Sequence, residues 1–230
     1  MSPGQSARLV VCLSGRGSNY RALRQAELDG RLSGQIVAVI SDRLDADGLR
    51  QARSDGIDSL CIARRAYPDR DSFEQALATA IDASQPQLII LAGFMRVLGA
   101  DFVRRYSGRM INIHPSLLPR HRGLQTHQRV LEAGEAAHGA SVHFVTPELD
   151  GGPVITQVRM PVAADDSAAT LAERLLPLEH RLLPATVALL LHYPVELRDE
   201  KIILNQEALA HPLQLGRDLA DDGSLLHEPG

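Results

Sequence analysis

Asp71-Ser72-Phe73-Glu74-Gln75-Ala76-Leu77-Ala78-Thr79-Ala80-Ile81-Asp82-Ala83, followed after a short link by Leu88-Ile89-Ile90-Leu91-Ala92, is the stretch on which the fold turns. The first segment sets Phe73, Ala76, Leu77, Ala80 and Ile81 on one face at i, i+3, i+4, i+7 and i+8, the spacing of an amphipathic helix. The second is wholly apolar and bracketed by Pro86 and Gly93, as expected of a strand buried on both faces. A helix feeding such a strand is the building unit of a parallel sheet covered by helices on both sides.

The same alternation runs back to the start of the chain. Leu9–Leu13, Ile36–Ile40 and Ile57–Ile62 read as strands, and Ser18–Leu28 and Asp47–Ser54 as helices, the latter ended by Gly56. Forward of Gly93 the pattern changes. A helix near Asp101–Tyr106 precedes a strand, Met110–Ile113, and a Pro-rich loop, Pro115 to Gly123. A short helix starts near Thr126 and ends at Gly134. Ala140–Val145 and Val154–Met160 then read as strands joined through Asp150-Gly151-Gly152-Pro153, so antiparallel strands should extend the parallel sheet. Ser167 to Leu191 has helical character, with Pro177 and Pro184 expected to kink or interrupt it. Val195–Leu197 and Ile202–Leu204 frame a small hairpin, and residues 206–230 read as a loose tail. The expectation is a single domain over 1–205, with halves of about 8–107 and 108–205.

Bulk properties narrow the function. A formal net charge of −4, with acids and bases interspersed, lacks the basic stripe of a nucleic-acid binder. Cys12 and Cys61 lie far apart in apolar runs, form no metal-binding spacing, and read as two buried thiols in a reducing compartment. No apolar run approaches membrane-spanning length, and the few residues ahead of the first strand are not expected to be a signal segment. A soluble, cytoplasmic protein is the expectation.

The chemistry concentrates at strand ends. Ser14-Gly15-Arg16-Gly17-Ser18-Asn19 lies between the first strand and first helix, where free N–H groups and the helix dipole attract an anion. Tyr20 replaces the third glycine of a dinucleotide fingerprint, and no Gly-Lys-Ser/Thr follows, which favours a phosphate monoester over NAD or ATP. Asp42, after the second strand, is the one feature that keeps a dinucleotide in play. Ala92-Gly93-Phe94-Met95-Arg96-Val97-Leu98 could wall a pocket for an aromatic ring system, or simply tuck into the core. Asn112 and His114 share one face of their strand, offering a hydrogen-bond donor and a proton-transfer group. By themselves they also fit a polar strand end, and Asp150 fits an ordinary Asp-Gly turn. His121, His127 and His138 read as solvated, and His143 as a satisfied strand histidine.

Taken together, these pieces in this order resemble the folate-dependent phosphoribosylglycinamide formyltransferases. The matching residues are Ser14 to Asn19, Leu91 to Arg96, Asn112-Ile113-His114-Pro115-Ser116-Leu117-Leu118-Pro119, and His138 to Thr146 running into Leu149-Asp150-Gly151-Gly152-Pro153. The resemblance covers roughly residues 8 to 205. It implies a Rossmann-like α/β formyltransferase fold, 10-formyltetrahydrofolate as co-substrate without a metal, and transfer of its formyl group to the amine of 5-phosphoribosylglycinamide. It places a catalytic trio on Asn112, His114 and Asp150, and ribonucleotide contacts on Gly17, Ser18, Asn19 and Glu179. Folate contacts fall on Arg70, Met95, Arg96, Val97, Leu98 and Asn112. Partners would be these small molecules alone, with the chain a monomer or homodimer.

Arg120-His121-Arg122-Gly123 departs from the Lys-Tyr-Pro-Gly turn common in that family and looks more like the methionyl-tRNA formyltransferases. Those carry an RNA-binding domain, which is not expected after residue 205, and the related formyltetrahydrofolate deformylases carry an N-terminal regulatory domain, which is not expected ahead of the first strand. In the expected mechanism Asn112 and His114 stabilise an oxyanion, donors worth about 3–4 kcal/mol each. Asp150 raises the imidazole pKa and holds a proton-carrying water. The competing class is a non-enzymatic nucleotide- or phosphate-sensing α/β module, which the glycine loop and Asp42 alone would allow and which has no need of the trio.

Overall fold

The computed structural model describes residues 6–227, and its contacts divide the chain into two compact units that meet between Asn112 and Ile113. That division falls five residues beyond the expected one at 107/108 and lies inside a strand. Each unit is built on its own logic.

The first unit is the α/β repeat. Its strands are β1 (Ala7–Leu13), β2 (Gly34–Ser41), β3 (Asp58–Cys61), β4 (Leu88–Leu91) and the start of β5 (Met110–His114). Its helices are α1 (Ser18–Leu28), α2 (Asp47–Ser54), α3 (Arg70–Ala83) and α4 (Ala100–Arg105), with an unanticipated 3-10 turn at Arg64–Ala66. All pairings are parallel, in the order β3-β2-β1-β4-β5. Every residue of β4 is buried, as its unbroken apolar run requires. On α3 the inward face holds Phe73, Leu77, Ala78 and Ile81, with Glu74 rather than Ala76 beside them. Asp69 caps that helix by accepting from the Ser72 N–H. After β3 the chain crosses to the far side of β1, so the strand order reverses between β1 and β4. That reversal sets the loops following β1 and β4 side by side at the carboxyl ends of the strands.

The second unit pairs β6 (Ala137–Phe144) antiparallel with β7 (Val154–Pro161), as the turn signal between them predicts. Before them comes α5 (Thr126–Glu132); after them α6 (Ala168–His192) runs for 25 residues. Of the two outcomes expected of Pro177 and Pro184, a kink or an interruption, the interruption does not occur: α6 runs through both. Each removes an intrahelical bond at a cost of about 3 kcal/mol. Leu171, Leu175, Leu182, Leu183, Val187 and Leu189 are all buried along it, and burial is worth about 1.5–3 kcal/mol per side chain. Among the described residues, no helix is long and apolar enough to cross a membrane.

The hairpin β8 (Val195–Arg198) and β9 (Lys201–Leu204) turns on Asp199 and Glu200, both at positive φ, as a two-residue turn of the mirror-image type requires. The loose tail expected from 206 onward is corrected. β10 (Glu207–Ala208) pairs with β9, and β11 (Leu213–Gln214) pairs with β7. Leu213 and Leu219 are buried, and Gly223 lies against α6. The last three residues of that range fall outside the described residues. Cys12 is buried as expected, but Cys61 is only half-buried.

Candidate active site

The sequence places its candidate residues at strand ends, and the structure shows what holds each of them. In the loop after β1, Gly17 takes φ +69° as the N-cap of α1, so Ser18 is the first helical residue and not the cap. A Cβ at Gly17 would lie 2.5 Å from the Gly48 Cα, so only glycine allows α1 and α2 to start this close together. Gly48 N–H donates to the Gly15 carbonyl at 3.1 Å, and Ser14 N–H to the Gly93 carbonyl at 3.0 Å. Ser14 Oγ accepts from Met95 N–H at 2.8 Å. Ser14, absent from the expected contacts although it opens the quoted motif, is therefore the stitch between the loops after β1 and β4.

The loop after β4 carries Met95, Arg96, Val97 and Leu98. Met95 and Val97 are 65% and 66% exposed, an apolar surface left uncovered rather than tucked into the core. Arg96 pairs with Asp42, so the carboxylate that kept a dinucleotide in play is committed to a protein cation. At the loop's far end Gly99 N–H donates to Glu74 Oε1 at 2.7 Å, and Arg70 Nε stands 3.7 Å from the same oxygen. Arg70 is thus brought to the end of the loop through a buried glutamate. Sequence reasoning passed over Glu74, whose only signal was its i+4 spacing from Arg70 on α3.

In the second unit His114 ends β5 and is almost wholly buried. Its Nε2 lies 3.0 Å from the His121 carbonyl, which can only accept, so Nε2 carries a proton. Its Nδ1 lies 3.5 Å from Asp150 Oδ2. Asp150 sits at φ +47° in the turn after β6, and its Oδ2 also takes Gly123 N–H at 2.8 Å. The turn needs its second glycine, since a Cβ at Gly152 would lie 1.9 Å from the Phe144 carbonyl oxygen. His143 Nε2 lies 3.7 Å from Asp150 Oδ1, while its Nδ1 donates to the Phe144 carbonyl at 2.9 Å. Burial drives the His143 pKa down to about 4, so it is neutral beside Asp150. It is a satisfied strand histidine as expected, and also a neighbour of the candidate carboxylate.

The Pro-rich loop between β5 and α5 is held by side chains. Ser141 Oγ donates to the Ser116 carbonyl at 2.7 Å and accepts from Leu118 N–H at 3.1 Å. Gln157 Nε2 donates to the Leu118 carbonyl at 2.9 Å, and the Leu118–Pro119 peptide is cis. Arg120 pairs with Glu135, Arg122 with Glu148, and Arg129 donates to the Arg122 carbonyl. The histidines expected to be solvated are not. His138 is buried in β6, where burial lowers its pKa to about 4, and His127 Nδ1 lies 2.9 Å from its Nε2. His121 and His127 are half-buried. Their burial comes from the loop folding back on β6, which no local pattern announces. Glu179 is half-buried on α6.

Comparison with known proteins agrees with this arrangement of motifs. Residues 7–187 match the formyl transferase family. The phosphoribosylglycinamide formyltransferase of Escherichia coli is 44% identical over 180 residues, covering 78% of this chain and 85% of that protein. The human trifunctional purine biosynthetic protein adenosine-3 is 38% identical over 193 residues, covering 84% of this chain but 19% of that much longer protein. A solved phosphoribosylglycinamide formyltransferase from Coxiella burnetii superposes with a TM-score of 0.87 at 43% identity, over 91% of this chain and 99% of that one. With its strand-end motifs in order and well over half its length matched, the chain belongs to the formyl transferase family.

Proposed function

We propose that this enzyme transfers the formyl group of 10-formyltetrahydrofolate to the amine of 5-phosphoribosylglycinamide, yielding the formylated ribonucleotide and tetrahydrofolate in purine biosynthesis. The observation that carries the reading is the pair His114–Asp150, an imidazole held at 3.5 Å by a carboxylate in the turn that the formyltransferase motif supplies. High identity to phosphoribosylglycinamide formyltransferases supports the choice of acceptor.

In this mechanism the glycinamide nitrogen attacks the formyl carbon and a tetrahedral oxyanion forms. Asn112 and the His114 imidazolium donate to that oxygen, each worth about 3–4 kcal/mol when placed for the transition state. Asp150 stabilises the imidazolium and accepts from a water that carries the proton from the attacking nitrogen to N10. The C–N10 bond then breaks and tetrahydrofolate leaves as a neutral amine. Gly17, Ser18 and Asn19 hold the ribonucleotide phosphate at the start of α1, where backbone N–H groups and the helix dipole favour an anion. Glu179 accepts from the ribose hydroxyls. Met95, Val97 and Leu98 supply an apolar wall for the folate ring, with Arg70, Arg96 and Asn112 as its polar contacts. The substrates are small molecules, and we place the enzyme in the cytoplasm as a monomer or homodimer.

The test is direct: purified enzyme with 10-formyl-5,8-dideazafolate and glycinamide ribonucleotide should show the absorbance change of deformylated folate, strictly dependent on the ribonucleotide. Release without the ribonucleotide would mark a hydrolase, and turnover on methionyl-tRNA at a comparable rate would mark a tRNA enzyme.

A further inference from the structure

Asp42 follows β2, and its side chain is 1% exposed. A carboxylate so deeply buried needs compensation for nearly all the water it gives up. One oxygen has it: Oδ2 accepts from Arg96 Nε at 2.5 Å across 54 residues of sequence. The other, Oδ1, has no hydrogen-bond partner among the described residues. The partner cation is not buried with it. Arg96 keeps 41% of its side chain in solvent.

That asymmetry has a geometric meaning. A guanidinium is a rigid planar fork, so engaging Nε fixes the plane and leaves the two terminal nitrogens as donors on the remaining edges. The backbone on either side of Arg96 is fixed too, by Met95 N–H on Ser14 Oγ and by Gly99 N–H on Glu74. The exposed Met95 and Val97 flank it. A long cationic side chain at an exposed loop would ordinarily sample many rotamers, and ordering it on a ligand would weaken binding. Here a buried anion has already ordered it.

We propose that Asp42 is a positioning residue for the folate co-substrate. It holds the Arg96 guanidinium by Nε so that the terminal N–H groups are presented to an oxygen acceptor, carbonyl or carboxylate, of the folate. This rests on the reading that the loop of Met95 to Leu98 contacts folate. Asp42 touches no substrate; it acts through Arg96 alone.

The experiment is a double-mutant cycle on the full chain with Asp42→Asn, Arg96→Ala and the double variant. Steady-state kinetics would be measured for both substrates, with calorimetric titration of tetrahydrofolate alongside. Asp42→Asn should raise KM for 10-formyltetrahydrofolate about ten-fold, the loss of one charge-assisted hydrogen bond. KM for the ribonucleotide should stay put and kcat should change less than about two-fold. In the Arg96→Ala background the same substitution should have no further effect. Equal rises for both substrates, a lowered melting temperature with unchanged folate KM, or a full effect of Asp42→Asn without Arg96 would each overturn the proposal. Should Asp42→Asn fail to fold, Asp42→Glu takes its place in the cycle, because it keeps the charge but moves it by one methylene and so should raise the folate KM only while Arg96 is present. If the wild-type chain transfers no formyl group, it is the reaction assignment that fails. The tetrahydrofolate titration then tests the pair by itself: a Kd unchanged by Asp42→Asn sinks it.

Discussion

Two loops bear the candidate chemistry, and they are held in opposite ways. The loop after β1 is fixed mainly by backbone: Ser14 N–H on Gly93, Gly48 N–H on Gly15, and the close approach of Gly17 to Gly48, with the Ser14 hydroxyl oxygen taking Met95 N–H as the side-chain addition. The loop after β5 is fixed by side chains, through Ser141, Gln157, the Arg120–Glu135 and Arg122–Glu148 pairs, and Asp150 on Gly123 N–H. Histidine follows the same division, since all nine lie after Ile113 and none before. A backbone-held loop is indifferent to pH and salt and breaks when atoms are added to it. A side-chain-held loop responds to both, which suits the half of the molecule assigned the proton transfers.

The heaviest loss should come from striking the side-chain loop at its carboxylate. Asp150→Asn keeps the shape but removes the charge beside His114, so kcat should fall by about 10²–10⁴ with the circular dichroism spectrum retained. Combined with His114→Ala, the loss should be far smaller than the product of the two single losses, because the residues act as a unit. Fully multiplicative losses in the four-variant kinetics would leave Asp150 an ordinary turn residue.

The backbone loop should break by sterics. Gly17→Val places a branched side chain at φ +69° and against Gly48 Cα, which should destabilise the chain by about 3 kcal/mol and displace the start of α1. KM for the ribonucleotide should rise at least about ten-fold more than KM for folate. Equal rises would put the phosphate somewhere else.

Acid should then separate the loops. His138 and His143 titrate near pH 4 when folded and near 6.5 when unfolded, so between those values the unfolded chain binds the extra protons. Their contribution to stability is whole above pH 6.5, declines as the pH falls toward 4, and is level below that. The slope is at most about 1.4 kcal/mol per pH unit for each group. Urea midpoints at pH 7, 5.5 and 4 should follow this course, and His138→Gln should flatten it by about one proton. A slope unchanged by that substitution would remove His138 from the account.

The smallest effect belongs to the surface pairs. Arg120→Ala and Arg122→Ala should each alter stability by no more than about 1 kcal/mol, and less in high salt. Neither the parent nor these variants should formylate methionyl-tRNA at a useful rate; comparable turnover would mean that the Arg-rich turn marks a tRNA enzyme.

The same contrast explains what could be read from the chain. The bounds of α1 and α2 are those the sequence predicts, because local signals set them: glycine before Ser18 and after Ser54, with apolar spacing between. The β4 strand and the His114–Asp150 pair were legible for related reasons, an unbroken apolar run and an ordered set of motifs. What was missed depends on distant partners. Glu74 and Ser14 matter because the loop after β4 returns to them, and His138 is buried because the Pro-rich loop folds over β6. Pro177 and Pro184 looked like interruptions because their local cost is visible in sequence, whereas the leucines that outweigh it are recognised only once packed.

The docking of β11 has a practical consequence. Leu213 and Gln214 occupy the hydrogen-bonding positions beside Thr156 and Gln157 of β7, and the Leu215 N–H continues onto the Gln157 carbonyl. A chain shortened at residue 206 would keep most of its core and its melting cooperativity, but it would bare those groups along β7. Such an edge is a template for another copy of itself. The shortened protein should therefore disappear from solution through self-association before it loses its fold, and light scattering rather than calorimetry would register the damage.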